Sequence, residues 1–271
     1  SLESDGQVHG TRRPLRGYPT DSSGVLARTR RNEKLDPGFV FFDMTARRCP
    51  ISLFLTVIVA VVSVSFGSLL VKWNSEAPPL TIAFVRMAWA TVLLFPFYAR
   101  ERKTCRARGR RFQPLVSIVL AGLALALHHA FWITSLRHTS VGVSVFLVNT
   151  APLIVALLSF FLWKERLTGL GFTGILLAVA GAACLGLGQV ESPGTLKGAF
   201  LALLGALFLG VYLTAGHASL RRTGLWLYVY PTYLISALVL GVLVALTGSQ
   251  IQGFGLRTHL LMFLLGLVPQ C

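Results

Sequence analysis

Seven apolar stretches of 18 to 23 residues follow one another along this chain, at 51–71, 80–99, 115–135, 141–163, 170–187, 199–216 and 225–246, with a shorter one at 260–268. A bilayer's hydrocarbon core is about 30 Å thick, and an α-helix crosses it with roughly 20 residues. Within lipid each backbone N–H and C=O has to be satisfied inside the segment, so runs of this kind take the helical form. The expected fold class is an all-α integral membrane protein, a polytopic helix bundle with seven full spans and a partial eighth.

The formal net charge of +15 would suit a nucleic-acid partner. Its distribution argues against one. Nine basic residues precede the first span, seven between Arg100 and Arg111 follow the second, Lys164 and Arg166 follow the fourth, and Arg221 and Arg222 follow the sixth. The intervening connections carry one apiece: Lys72, Arg137, Lys197 and Arg257. This positive-inside alternation puts the N-terminus and the even-to-odd loops in the cytoplasm. Residues 1–49, rich in Ser, Arg and Gly and without sustained periodicity, are expected to form a disordered cytoplasmic tail. The first span lacks a small-residue cleavage site and is expected to serve as its own insertion signal. The four cysteines, Cys49, Cys105, Cys184 and Cys271, show neither a CxxC nor a metal-ligand spacing, and no disulfide, metal or cofactor is expected.

The chain also echoes itself weakly. Ser65-Phe66-Gly67 resembles Phe208-Leu209-Gly210 at a shift of 143, and Gly122 matches Gly266 at a shift of 144. A repeat of five spans, being odd, enters the membrane inverted the second time, as in many secondary transporters. Four places then carry a resemblance to a known family: Ser65-Phe66-Gly67-Ser68; Phe84-Val85-Arg86; the fourth span from Val148-Asn149-Thr150-Ala151-Pro152 to Trp163-Lys164-Glu165-Arg166-Leu167; and the Gly- and Ala-rich fifth span. Together they resemble the drug/metabolite transporter superfamily, in its EamA-like branch. The resemblance implies ten spans in two inverted five-span halves, here a tail at 1–49, a first repeat at 50–188 and an incomplete second repeat at 195–271. A complete second half would reach about residue 332, some 60 residues further.

A charged side chain at the centre of a membrane helix costs about 2.5–3.5 kcal/mol on insertion scales, so each ionisable group there needs a reason. Arg86 sits seven residues from the outer end of the second span, roughly 10 Å deep. His128 and His129 in the third span and Asn149 in the fourth lie at comparable depth, and all four are candidates to line one polar cavity. Each has a blander reading. Arg86 either meets an anionic solute group or bonds helix-end carbonyls while reaching toward the surface. The two histidines point about 100° apart, one toward solute or proton and the other toward a neighbouring helix. Asn149 either contacts solute or bridges helices, with Pro152 freeing a backbone carbonyl nearby. Trp132, with Phe131 and Trp89, offers an aromatic wall or an ordinary interfacial belt. Tyr230, beside Tyr228, Pro231 and Tyr233, places hydroxyls and a backbone break in the inner half of the seventh span, suited to a hinge or gate. Glu165, between Lys164 and Arg166, is expected to pair locally at the membrane exit.

None of the ten acidic residues falls inside a span, so proton coupling would rest on histidine or on residues outside this sequence. Gly169-Leu170-Gly171-Phe172-Thr173-Gly174 has the form GxGxxG, but no strand precedes it; its glycines are expected to pack helices closely. No protease or hydrolase motif is present, and an enzyme is not expected. The reading that follows is a secondary transporter of small organic solutes such as amino acids, metabolites or drugs, working by alternating access, exporting, and seated in a plasma membrane of bacterial type. Its partners are the solute and membrane lipid, with a homo-oligomer left open. The alternative is a truncated, inactive product or a scaffold whose basic cytoplasmic face binds anionic lipid.

Overall fold

The computed structural model describes residues 50–107, 115–164, 169–187, 193–220 and 224–270. The expected tail at 1–49 and Glu165 lie outside them. Among the described residues there are nine α-helices and no strand: α1 (Pro50–Trp73), α2 (Pro79–Ala107), α3 (Leu115–His138), α4 (Val141–Val148), α5 (Ala151–Trp163), α6 (Gly169–Leu187), α7 (Pro193–Leu220), α8 (Leu225–Leu246) and α9 (Leu256–Leu267). The chain divides into two units at Val57 and Ile58. In the first, the described residues are the opening turns of α1. The second holds everything that follows.

Among the described residues, six segments are long and apolar enough to cross a membrane: Phe54–Trp73, Pro79–Cys105, Leu115–His138, Val141–Leu162, Thr195–His217 and Leu225–Thr247. The 19-residue α6 covers the expected fifth span, and α9 is the short apolar piece. The chain is an all-α polytopic membrane protein. Its helices are apolar around most of their circumference, so large side chains such as Phe161, Leu177, Leu238 and Val242 stay exposed on the outside, where lipid is their solvent. A smaller set, including Val71, Ile82, Met87, Ile133, Leu240 and Leu265, forms the packed core of the second unit.

Local chemistry sets the helix ends. Proline opens α1, α2 and α7, where its missing N–H costs nothing. The Ser140 hydroxyl accepts the Val143 N–H at 3.3 Å and caps α4. The span expected over 141–163 is present, and within it the helix is divided into α4 and α5. Pro152 has no N–H for the Val148 carbonyl, and its ring crowds that carbonyl. The intervening turn tightens, with the Thr150 N–H and Oγ1–H both donating to the Leu147 carbonyl, at 3.1 and 2.7 Å. Pro231 has a different effect. α8 continues through it from Leu225 to Leu246, with Pro231 leaving the Leu227 carbonyl without its i+4 N–H donor.

α2 and α8 run antiparallel and are tied at both ends. The Thr81 hydroxyl donates to the Gln250 carbonyl at 2.8 Å. At the far end the Glu101 carboxylate accepts the N–H groups of Trp226 (2.8 Å) and Leu227 (3.1 Å), supplying from α2 the cap that Gly224 cannot give α8. Between these ties, Tyr98 stacks on Tyr230 with centroids 4.3 Å apart, and Phe97 on Trp226 at 4.9 Å.

Two glycines bring further helices close. A Cβ on Gly122 of α3 would lie 2.6 Å from Ile235 Cγ2 and 3.1 Å from the Thr232 carbonyl of α8. One on Gly266 of α9 would lie 2.7 Å from Trp89 Cβ and 3.0 Å from the Arg86 carbonyl of α2. These contacts are reciprocal: moved back by the 144 positions that separate the glycines, 232 and 235 become 88 and 91, next to the Arg86, Trp89 and Ala90 that Gly266 meets. On α6, by contrast, a Cβ at Gly169 or Gly174 would meet nothing within 4 Å. The close packing expected of those two glycines is not made.

The end where α1 and α3 finish is bound by mutual capping. Lys72 Nζ donates to the Leu136 carbonyl at 2.9 Å, and the Arg137 guanidinium donates to the carbonyls of Asn74 (2.7 Å), Ser75 (2.9 Å) and Ala77 (2.6 Å). The Thr258 hydroxyl at the start of α9 donates to Glu76 at 2.6 Å.

Candidate functional site

Arg86 comes seven residues after Pro79, His129 nine before His138, and Asn149 eight after Val141. The start of α2, the end of α3 and the start of α4 share one end of the bundle, so these groups lie about 10–15 Å in from it. They meet in a cavity of about 200 Å³ that Arg86, His128, His129, Trp132 and Asn149 line together. Leu125, Val148, Leu209, Tyr212, Tyr233 and Gln270 complete most of its wall.

Arg86 is 2% exposed, and its Nε and Nη1 are buried with no hydrogen-bond partner among the described residues. Its guanidinium carbon lies 5.7 Å from the centre of the Trp132 ring, a cation–π arrangement. His128 stacks on the same indole, nearly parallel, with centroids 5.8 Å apart. Its Nδ1–H donates to the Gly205 carbonyl of α7 at 2.9 Å, which joins α3 to α7. His129 Nδ1–H donates to the Leu125 carbonyl one turn back at 2.8 Å. Its Nε2 is then an acceptor, and the Gln270 amide N–H donates to it at 3.1 Å. The same amide nitrogen lies 2.9 Å from Met87 sulfur, and the Tyr233 hydroxyl donates to the Gln270 carbonyl at 3.4 Å. Asn149 is exposed at the cavity's edge, in the turn between α4 and α5.

Among the described residues no acidic side chain lines the cavity. Of the described acids, Glu76 is engaged by Thr258 and Glu101 by the start of α8. The cavity therefore combines one buried cation, an indole face, hydroxyl and amide groups, and apolar walls. Among the described residues no group of three or more His, Cys, Asp or Glu could hold a metal ion.

The other candidates lie elsewhere. Tyr230 packs on Tyr98, which is 12 positions along α2 from Arg86, or about 18 Å; it belongs to an aromatic cluster with Phe95 at the opposite end. Phe131 stacks on Phe208, and Trp89 is edge-on to Phe263 and 40% exposed, so of these three rings it is Trp132 that lines the cavity. Pro152 shapes the turn that carries Asn149, and Pro231 sits next to Tyr230. Tyr212 and Gln270 were not anticipated. A tyrosine near a helix end reads as an interfacial residue, and nothing in the sequence pairs Gln270 with His129, 141 positions earlier.

Comparison with known proteins adds the following. The model of the EamA-like transporter family matches residues 51–187. An uncharacterized transporter of Synechocystis sp., sll0355, is 32% identical over 114 residues, 42% of this chain and 34% of that protein. The uncharacterized transporter YxxF of Bacillus subtilis is 28% identical over 150 residues, 54% of this chain and 48% of that one. The matched parts thus span a third to a half of these relatives' lengths. A solved crystal structure superposes with a TM-score of 0.59 at 22% identity, covering 78% of this chain and 72% of that one, and shares the fold.

Proposed function

Because the chain belongs to the EamA-like transporter family, we propose that it carries small organic solutes across a membrane by alternating access, in export, with the cavity beside Arg86 as the solute's seat. The observation that carries this reading is a polar cluster held within apolar helices. Side chains from α2, α3, α7, α8 and the α4–α5 turn converge on one space, and intramembrane ionisable groups mark solute paths. The antiparallel α2 and α8, and the reciprocal contacts of Gly122 and Gly266, support two inverted repeats at 50–188 and 195–271. Both named relatives are bacterial, which supports a bacterial plasma membrane. The basic loops support a cytoplasmic N-terminus.

The test is uptake and counterflow of candidate solutes in proteoliposomes holding the full chain, with Arg86→Ala and Asn149→Ala. Saturable flux that falls at least about tenfold in Arg86→Ala, as loss of a buried charge-assisted contact implies, supports the reading. Flux unchanged in both variants removes the cavity as the solute's seat.

A further inference from the structure

We infer that the cavity is a site for a small organic carboxylate with an apolar body, bound with its carboxylate on Arg86 and its body between Trp132 and the aliphatic wall. This deepens the carrier reading and rests on it for the site's purpose. Arg86 lines the cavity while 2% exposed, and among the described residues its buried Nε and Nη1 lack partners and no acid joins the lining, so its guanidinium is a donor set awaiting an acceptor. Guanidinium N–H groups match the spacing of carboxylate oxygens and bind them in pairs. The same cavity is lined by the Trp132 indole, whose centre is 5.7 Å from the guanidinium carbon, and by the side chains of Leu125, Val148 and Leu209, which suit an apolar body.

Size and charge narrow the class. A dry cavity of about 150 Å³ holds benzene, so about 200 Å³, a third more, takes a solute of roughly eight to ten non-hydrogen atoms, below the usual range for drug-sized ligands. The ammonium of an amino acid would find only neutral acceptors among the described lining residues, and would lie in the field of Arg86. A monocarboxylate without an amine fits; its zwitterionic analogue pays a desolvation cost that neutral acceptors offset only in part.

The experiment uses the full chain in nanodiscs and three probes of nearly one shape: phenylacetate, its neutral amide phenylacetamide, and zwitterionic phenylglycine, titrated by calorimetry. Phenylacetate is expected to bind at least about tenfold more tightly than either of the others, the difference made by one charge-assisted contact. Arg86→Met is expected to abolish that preference, and Arg86→Lys to keep part of it. The wild-type comparison needs no variant, so a misfolded Arg86→Met leaves the test intact. Equal or weaker binding of phenylacetate than of phenylacetamide, no saturable phenylacetate binding, or a preference that survives Arg86→Met overturns the inference. Carboxylate binding without flux in proteoliposomes would refute the carrier reading and leave this site standing. Flux of neutral solutes that phenylacetate does not inhibit would do the reverse.

Discussion

Arg86 is the residue on which stability and function pull apart. Leaving a charged group buried without partners costs at least about 1–3 kcal/mol, so Arg86→Met, which fills similar space without a charge, is expected to raise the thermal unfolding midpoint of the solute-free protein while removing carboxylate binding. Scanning calorimetry or a fluorescence melt of the two proteins in the same detergent checks this; a lower midpoint in the variant would mean that Arg86 has structural partners. Much of this neighbourhood was legible in the sequence. Arg86, His128, His129 and Asn149 could be placed at one depth by counting from span ends, because 1.5 Å per residue converts position to depth without any knowledge of packing. Which face each side chain takes was not legible. Tyr230 has the right chemistry for a cavity, yet it stacks on Tyr98 about 18 Å along α2 from Arg86. Gln270 shows the same limit, since its contact with His129 arises only once α9 has docked.

Among the helices, what decides packing is where backbones can approach. Gly266→Ala would put a Cβ 2.7 Å from Trp89 Cβ and 3.0 Å from a backbone oxygen, which cannot yield as a side chain can. It is expected to destabilise the protein by about 1–3 kcal/mol, whereas Gly174→Ala, with nothing within 4 Å, should be neutral or slightly favourable. Paired melting curves distinguish the two. Glu101→Ala, which strips α8 of its borrowed cap at Trp226 and Leu227, should cost about 1–2 kcal/mol; a midpoint equal to wild type would show that water caps the helix as well. Span existence was legible because 20 apolar residues have one physical use. Helix faces were not, since a helix apolar all round carries no stripe to mark its neighbours. The divided fourth span lies between: Pro152 marked the place, but the tightened Thr150 turn depended on local hydrogen bonds that sequence does not state.

For the molecule as a whole, the alternation of basic loops makes a prediction about sidedness. In a background without the other cysteines, Cys105 should react with a membrane-impermeant maleimide from the cytoplasmic side, and Gln252→Cys from the opposite side. Labelling of both from one side would overturn the proposed orientation. The joining of α2 to α8 has a mechanical consequence. The backbone of α9 bears on α2 between Arg86 and Ala90, while the ties to α8 lie at Thr81 and Glu101. From position 88 these ties stand about 10 Å and about 20 Å away at 1.5 Å per residue. If α2 tilts about that fulcrum, its two ends travel unequally, and the Glu101 end sweeps twice the arc of the Thr81 end. A small displacement at Arg86 would thus be geared up toward the aromatic end of the bundle.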